Sequence, residues 1–427
     1  MSKSRCFLAV LTAAFLLASC GVQIPASLSP IDTQPQSSKA PVSLQSARSG
    51  EYRDLFDEYL GKSDTEVQHK VETAWQHFFY GSDDTERIYY PVGEDMAYIL
   101  DVGNDDVRSE GMSYGMMIAA QMDKQEEFNR LWTWAKTYMY QSEGPYKGYF
   151  AWHCSADGNQ LDANPASDGE EWFVMALFFA AGRWGNEEGI YNYQAEANAI
   201  LNTMLHKQEE NTIATNMFDE ESYQVVFVPS GRMSSFTDPS YHLPHYYDLW
   251  AKWAAENNDF WKEAAVHSRE FLKTTVNPSS GLMPDYANFD GSPHDFGGDD
   301  HTEFRFDAWR TTMNIAVDYA WFQADEWEVE QSNRILNFFY EEGIDTYANQ
   351  YSLDGEPLSS DHSPGLVAMN AVGALAATTD NSTEFVQALW NLQPPSGQWR
   401  YYDGMLYLLG LLHVSGQFRV YEPTHIP

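Results

Sequence analysis

Four short segments of this chain carry acidic and aromatic residues that helix packing does not require. They are Arg108-Ser109-Glu110-Gly111-Met112-Ser113-Tyr114-Gly115-Met116, Ala166-Ser167-Asp168-Gly169-Glu170-Glu171-Trp172-Phe173, Asp238-Pro239-Ser240-Tyr241-His242-Leu243-Pro244 and Phe304-Arg305-Phe306-Asp307-Ala308-Trp309-Arg310. Two carboxyls facing one cleft can do what neither does alone: one protonates a leaving oxygen while the other takes a proton from water. Glu110 sits where a Ser-Glu-Gly turn opens a helix, a place where the helix dipole also favours a carboxylate. Asp307 is followed one helical turn later by Arg310, which can hold it ionised and oriented. Rings beside such a pair offer flat apolar faces for the C–H side of a neutral sugar.

The elements that must position these residues read as helix after helix. Ser63-Asp64-Thr65-Glu66 is a capping box, followed at helical spacing by Val67, Val71, Trp75, Phe78 and Phe79. The same device is expected over Asp123 to Glu126 and over Ser167 to Glu170. Further helices are predicted over Tyr193 to Leu205, Tyr246 to Ala255, Phe260 to Leu272, Ala308 to Phe322, Val329 to Tyr340, Gly365 to Ala377, Glu384 to Leu392 and Met405 to Val414. Tyr223 to Val228 is the best strand candidate. About a dozen amphipathic helices joined by short or moderate loops predict an all-α domain of stacked antiparallel pairs, without separating bundle, solenoid and closed ring.

The 427 residues carry 62 acidic and 25 basic side chains, a formal charge of −37. Such a surface repels nucleic acid and anionic membranes, and a neutral polymer is not repelled. His242 and His245 are separated by Pro244 with no further ligand set, so no metal is expected. There is no Gly-rich nucleotide loop and no Gly-x-Ser-x-Gly elbow, and no cofactor is expected.

The N-terminus reads as a targeting segment, with Lys3 and Arg5 ahead of an apolar run from Phe7 to Leu17. Leu17-Ala18-Ser19-Cys20-Gly21 resembles a bacterial lipobox, which implies cleavage before Cys20 and acylation of its thiol. The expected organisation is a signal peptide over 1–20, a Ser- and Pro-rich tether over 21–49 and one catalytic domain over 50–427. The protein is thus expected to be exported and membrane-anchored, and monomeric. Cys154 is left without an intramolecular partner once Cys6 is removed and Cys20 carries lipid.

Taken together, the segments around Glu110, Asp168, Tyr241 and Asp307, with Trp399-Arg400-Tyr401-Tyr402-Asp403 near the C-terminus, resemble glycoside hydrolase family 8, and within it the reducing-end xylose-releasing exo-oligoxylanases. The resemblance implies an (α/α)6 barrel of six helical hairpins and an inverting hydrolysis of β-1,4-xylosidic bonds. It implies Glu110 as general acid, Asp307 as general base, Asp168 at the sugar of the cleavage subsite and Tyr241 beside the nucleophilic water. Trp152, Phe306, Tyr401 and Tyr402 lie in the segments most like the family's cleft, as sugar platforms, with Arg310 beside the base. His362, in the loop from Asp354 to Leu366, matches a histidine that meets the terminal reducing sugar. Asp361 and Ser363 depart from the apolar residue and proline that flank that histidine in the exo enzymes. Other readings are an endo-acting xylanase of the same family and a non-catalytic glycan-binding lipoprotein.

Overall fold

The computed structural model describes residues 45–209, 213–298 and 300–424. The proposed leader, Cys20 and most of the tether lie outside these residues. The tether's predicted end is corrected: α1 (Ser46–Ser49) is one helical turn closed by Gly50, and Ser46 is buried. After it comes α2 (Leu55–Leu60), whose first two residues are buried.

Twelve longer helices then alternate between an outer and an inner ring. In chain order they are α3 (Asp64–Tyr80), α4 (Ser109–Gln121), α5 (Gln125–Trp134), α6 (Ser167–Trp184), α7 (Tyr193–His206), α8 (Pro244–Trp253), α9 (Asn258–Thr275), α10 (Arg310–Phe322), α11 (Trp327–Glu342), α12 (Pro364–Gly373), α13 (Ser382–Asn391) and α14 (Arg400–Val414). Even-numbered helices from α4 to α14 form the inner ring: α4 packs on α6, α8 on α10, α10 on α12, α12 on α14, and α14 returns to α4. Trp172 and Tyr246 join α6 to α8 through ring contact. Each inner helix also packs on one outer helix, α14 pairing with α3. This is the (α/α)6 barrel.

The two rings differ in pattern because they differ in burial. Outer α3 buries one stripe, Val67, Val71, Ala74, Trp75, Phe78 and Phe79, and begins with the predicted capping box. Inner helices are walled on nearly all sides; in α4 every residue but Glu110 is buried, in α10 every residue but Ala320, and in α12 every residue but Pro364. Two glycines let inner elements approach closely. A Cβ on Gly169 would stand 2.4 Å from Ser109 Oγ, and one on Gly111 2.5 Å from the Tyr401 hydroxyl.

Three local expectations are corrected. Asp123 caps nothing: it lies at φ +60° two residues before α5 and accepts bonds from Arg183 and Trp184. Ser167 lies inside α6, behind an Ala166 N-cap, and Glu170 accepts the Phe150 amide at 2.7 Å instead of closing a box. Tyr223 to Val228 forms only an isolated bridge between Phe218 and Val225. The strands are short insertions: the hairpin β1 (Tyr89–Val92) and β2 (Met96–Ile99), and the small sheet of β3 (Val107–Arg108), β4 (His153–Cys154) and β5 (Gln160–Asp162).

Candidate active site

The predicted site residues converge because each sits where an inner helix begins. Glu110 and Asp168 occupy the first turns of α4 and α6, Tyr241 lies just before α8, and Arg310 opens α10 directly after Asp307. His362 precedes α12, and Tyr401 and Tyr402 stand in the first turn of α14. Six helix N-termini therefore surround one space, each adding positive potential there.

Arg310 is the hub. Only 2% of its side chain is exposed, and one nitrogen, Nη1, donates to Glu110 Oε2 at 3.0 Å, Asp168 Oδ2 at 3.2 Å and the Tyr114 hydroxyl at 2.6 Å. Its other terminal nitrogen meets Asp307 Oδ1 at 3.0 Å and Ser240 Oγ at 2.8 Å. Glu110 and Asp307 are bridged by one guanidinium, so their bonded oxygens are at most about 8 Å apart, no wider than water-mediated displacement at a sugar allows. The far oxygen of Glu110 accepts the Tyr401 hydroxyl at 3.0 Å.

Burial dominates the electrostatics. It pushes the Glu110 carboxyl up to about 7; Arg310 opposes the shift, and the Asp168 and Asp307 charges add to it. Burial likewise raises Asp168, with Arg310 pulling the other way. Asp307 keeps 28% of its side chain exposed. Its neighbour Phe306 has φ +30°, a strained backbone for a residue with a side chain, and is 41% exposed. The Tyr402 hydroxyl donates to the Phe306 carbonyl at 3.1 Å and reaches Asp307 Oδ1 at 3.4 Å.

Two cavities meet at this pair. Glu110, Asp307 and Arg108 line both a cleft of about 1050 Å³ and a smaller hollow of about 410 Å³. Trp152, Asp168 and Tyr241 line the smaller one. Phe306, Tyr402 and His362 line the larger, with Trp309, Asp361 and Trp399. Such a space, open on both sides of a carboxyl pair, can hold a chain of sugars across the point of cleavage.

Residues 99–416 match the family described as glycosyl hydrolases family 8. The chain belongs to that family. It is 48% identical over 376 residues to the reducing-end xylose-releasing exo-oligoxylanase Rex8A of Paenibacillus barcinonensis, covering 87% of this chain and 97% of that protein. The solved structure of Rex8A complexed with xylose has a TM-score of 0.85 at 47% identity, covering 88% of this chain and 99% of that one. A xylanase of the family from Teredinibacter turnerae, solved as a catalytic mutant in a xylohexaose complex, has a TM-score of 0.85 at 46% identity and covers 88% and 100%. The protein is a glycoside hydrolase.

Within this family-8 site, two predicted roles change. Tyr401 lines the larger cleft but is only 3% exposed, and its hydroxyl is spent on Glu110. Arg310 does more than orient Asp307, since it binds three carboxyls. Several lining groups had no signal in the sequence. Asp285 accepts from His301 at 2.5 Å and lines the larger cleft, yet both residues come from an irregular stretch with no periodicity. Trp399, 64% exposed, opens the C-terminal motif and lines the larger cleft. His242 and His245 are core residues; hydroxyls of Thr237 and Ser268 take both nitrogens of His242, and burial pushes both rings down to about 3.

Proposed function

We propose that this glycoside hydrolase cleaves β-1,4-xylosidic bonds with inversion and releases xylose from the reducing end of xylo-oligosaccharides. Glu110 is the general acid. Its carboxyl is held up to about 7 by burial, so it still carries a proton near neutrality, and when that proton leaves, Arg310 and Tyr401 stabilise the carboxylate. Asp307 is the general base. It is ion-paired with Arg310 and open to the cleft, where it takes a proton from the water that attacks the anomeric carbon. Asp168 sits on the hollow side of Glu110, placed to hydrogen-bond the sugar being transferred, with Trp152 as a ring beside it and Tyr241 close to the water. The space offers room for a neutral oligosaccharide and needs no cofactor in these steps.

The observation that carries the reducing-end reading is His362. Its Nδ1 lies 2.8 Å from the Tyr347 carbonyl, which can only accept, so Nδ1 bears the hydrogen. In the neutral ring Nε2 is then an acceptor, in a residue that lines the larger cleft. A free anomeric hydroxyl can donate to it, whereas an internal sugar has none to give. His362 does not cap α12, whose N-cap is Ser363 without a side-chain bond. The similar enzymes named for xylose release from the reducing end support the same reading. Incubating the protein with xylotriose should release xylose while barely lowering the viscosity of polymeric xylan. Rapid viscosity loss with xylobiose and longer fragments first would show the endo action that polar Asp361 and Ser363 in the cleft wall would permit.

We further propose export and membrane anchoring through Cys20, with the monomer as the functional unit. Leu17-Ala18-Ser19-Cys20-Gly21 supports the first. Metabolic labelling with palmitate, compared with a Cys20→Ala variant, tests it; equal labelling would remove the anchor. Light scattering of the detergent-free domain tests the second.

A further inference from the structure

Behind the general base lie two carboxyls that the mechanism above leaves unused. Asp238, Asp285 and Asp307 each bring a carboxylate oxygen within 4.8 Å of the others. Any three atoms so spaced share a point within about 2.8 Å of all of them, the length of a water hydrogen bond. Asp285 is committed elsewhere, accepting His301 at 2.5 Å and, at 3.4 Å, the Ala308 amide. Asp307 is ion-paired with Arg310. Asp238 is different. It is fully buried, its Oδ1 accepts the Ser240 amide at 2.6 Å, and its Oδ2 has no hydrogen-bond partner among the described residues. A buried carboxylate oxygen that accepts nothing, in a carboxyl grouped with two others, carries a heavy desolvation penalty. A carboxylic acid there instead has a proton to give.

We propose that Asp238 is a positioning residue for the hydrolytic water: as a neutral acid it donates from Oδ2 into the space enclosed with Asp307 and Asp285, holding the water's oxygen while Asp307 takes the proton. The chemistry balances without an added reactant. Water gives one proton to Asp307 and its oxygen bonds the anomeric carbon; Asp238 keeps its own proton throughout. The groups facing Asp238 agree with a neutral state. Asp307 and Asp285 repel a charge there, Arg310 favours one but is shared among Glu110, Asp168 and Asp307, and Tyr241 and Tyr286 are uncharged. Burial, first, and those two carboxylates drive the Asp238 carboxyl well above the usual range. The His301 contact is made with Asp285 and not with Asp238.

The proposal rests on Asp307 as base, and its test separates the two. Infrared difference spectra of wild type and Asp238→Asn at neutral pH need no activity. Loss of a protonated-carboxyl carbonyl band in the variant is expected, and loss of an ionised-carboxylate band would overturn the proposal. In the full chain acting on xylotriose, Asp238→Asn keeps a neutral donor, so the acid limb of kcat/KM should stay in place. Movement of that limb to lower pH would mean that a repelling anion had been removed, and would sink the idea. Asp238→Ala loses the donor to the water, so kcat should fall about 100-fold with KM little changed, the usual penalty for a misplaced reactant. Its acid limb should also move to higher pH, a shift that a purely structural role would not produce. Calcium chloride titrated against the wild type should leave the rate unchanged. Saturable inhibition abolished by Asp238→Asn would make this a cation site instead. Full activity of Asp307→Asn would defeat the parent assignment and leave the infrared result standing.

Discussion

One guanidinium serves both proposed catalytic carboxyls, and that sharing shapes what single substitutions should do. Glu110→Gln keeps the shape and one of the two acceptor oxygens that Arg310 and Tyr401 use but has no acidic proton to give, so turnover should fall about 10²–10⁴-fold in a protein with wild-type circular dichroism. A general acid works only while protonated. With Glu110 held up to about 7, kcat/KM should therefore decline as pH rises through about 7. Tyr401→Phe removes a donor to the Glu110 carboxylate and leaves the buried ring, so that upper limb should move to higher pH; an unmoved limb would show that the 3.0 Å bond does not matter to the acid. If Asp307 activates water and does not attack the sugar, proton NMR of the earliest product should show the α anomer. A β product would reassign Asp307 as a nucleophile.

At the scale of elements, the site is a collar of helix starts. This explains which parts were legible in the sequence. Glu110, Asp168, Tyr241, Asp307 and Tyr401 each sit at the mouth of an inner helix, where a polar residue interrupts an otherwise apolar stretch, and such interruptions stand out. Outer helices were legible through their one-sided stripes, as in α3. Inner helices hide their periodicity because they are buried nearly all round, and a capping pattern can mislead there. Ser167 at the start of α6 has the right spacing to Glu170, but tertiary packing draws Glu170 to the Phe150 amide. Asp285 and His301 were illegible because loop topology alone brings them to the base. Close approach between elements is equally invisible until the helices are packed. A Cβ on Gly111 would collide with the Tyr401 hydroxyl, so Gly111→Ala should lower both activity and melting temperature. By contrast Ser63→Ala, at the capping box of an outer helix, should lose about 1 kcal/mol of stability by denaturant titration and leave kcat unchanged.

For the described domain as a whole, cohesion comes from the continuous core between the two rings, without covalent staples. Cys154 is buried and its thiol is pushed up to about 12 by burial, so it resists both pairing and attack. Reductant should leave the melting temperature of the domain unchanged, and iodoacetamide should label Cys154 only after denaturation, as read by mass spectrometry. The ring closes where α14 packs on α3 and α4, and the same helix delivers Tyr401 to Glu110 across 291 positions of sequence. During synthesis, then, the residue that completes the acid's surroundings leaves the ribosome 291 residues after the acid itself. A stalled or prematurely terminated chain lacks the stave that shuts the barrel and the hydroxyl that steadies the acid. Hydrolysis is in this way reserved for chains made through α14, and a fragment missing that helix should be a substrate for proteases before it is ever a catalyst.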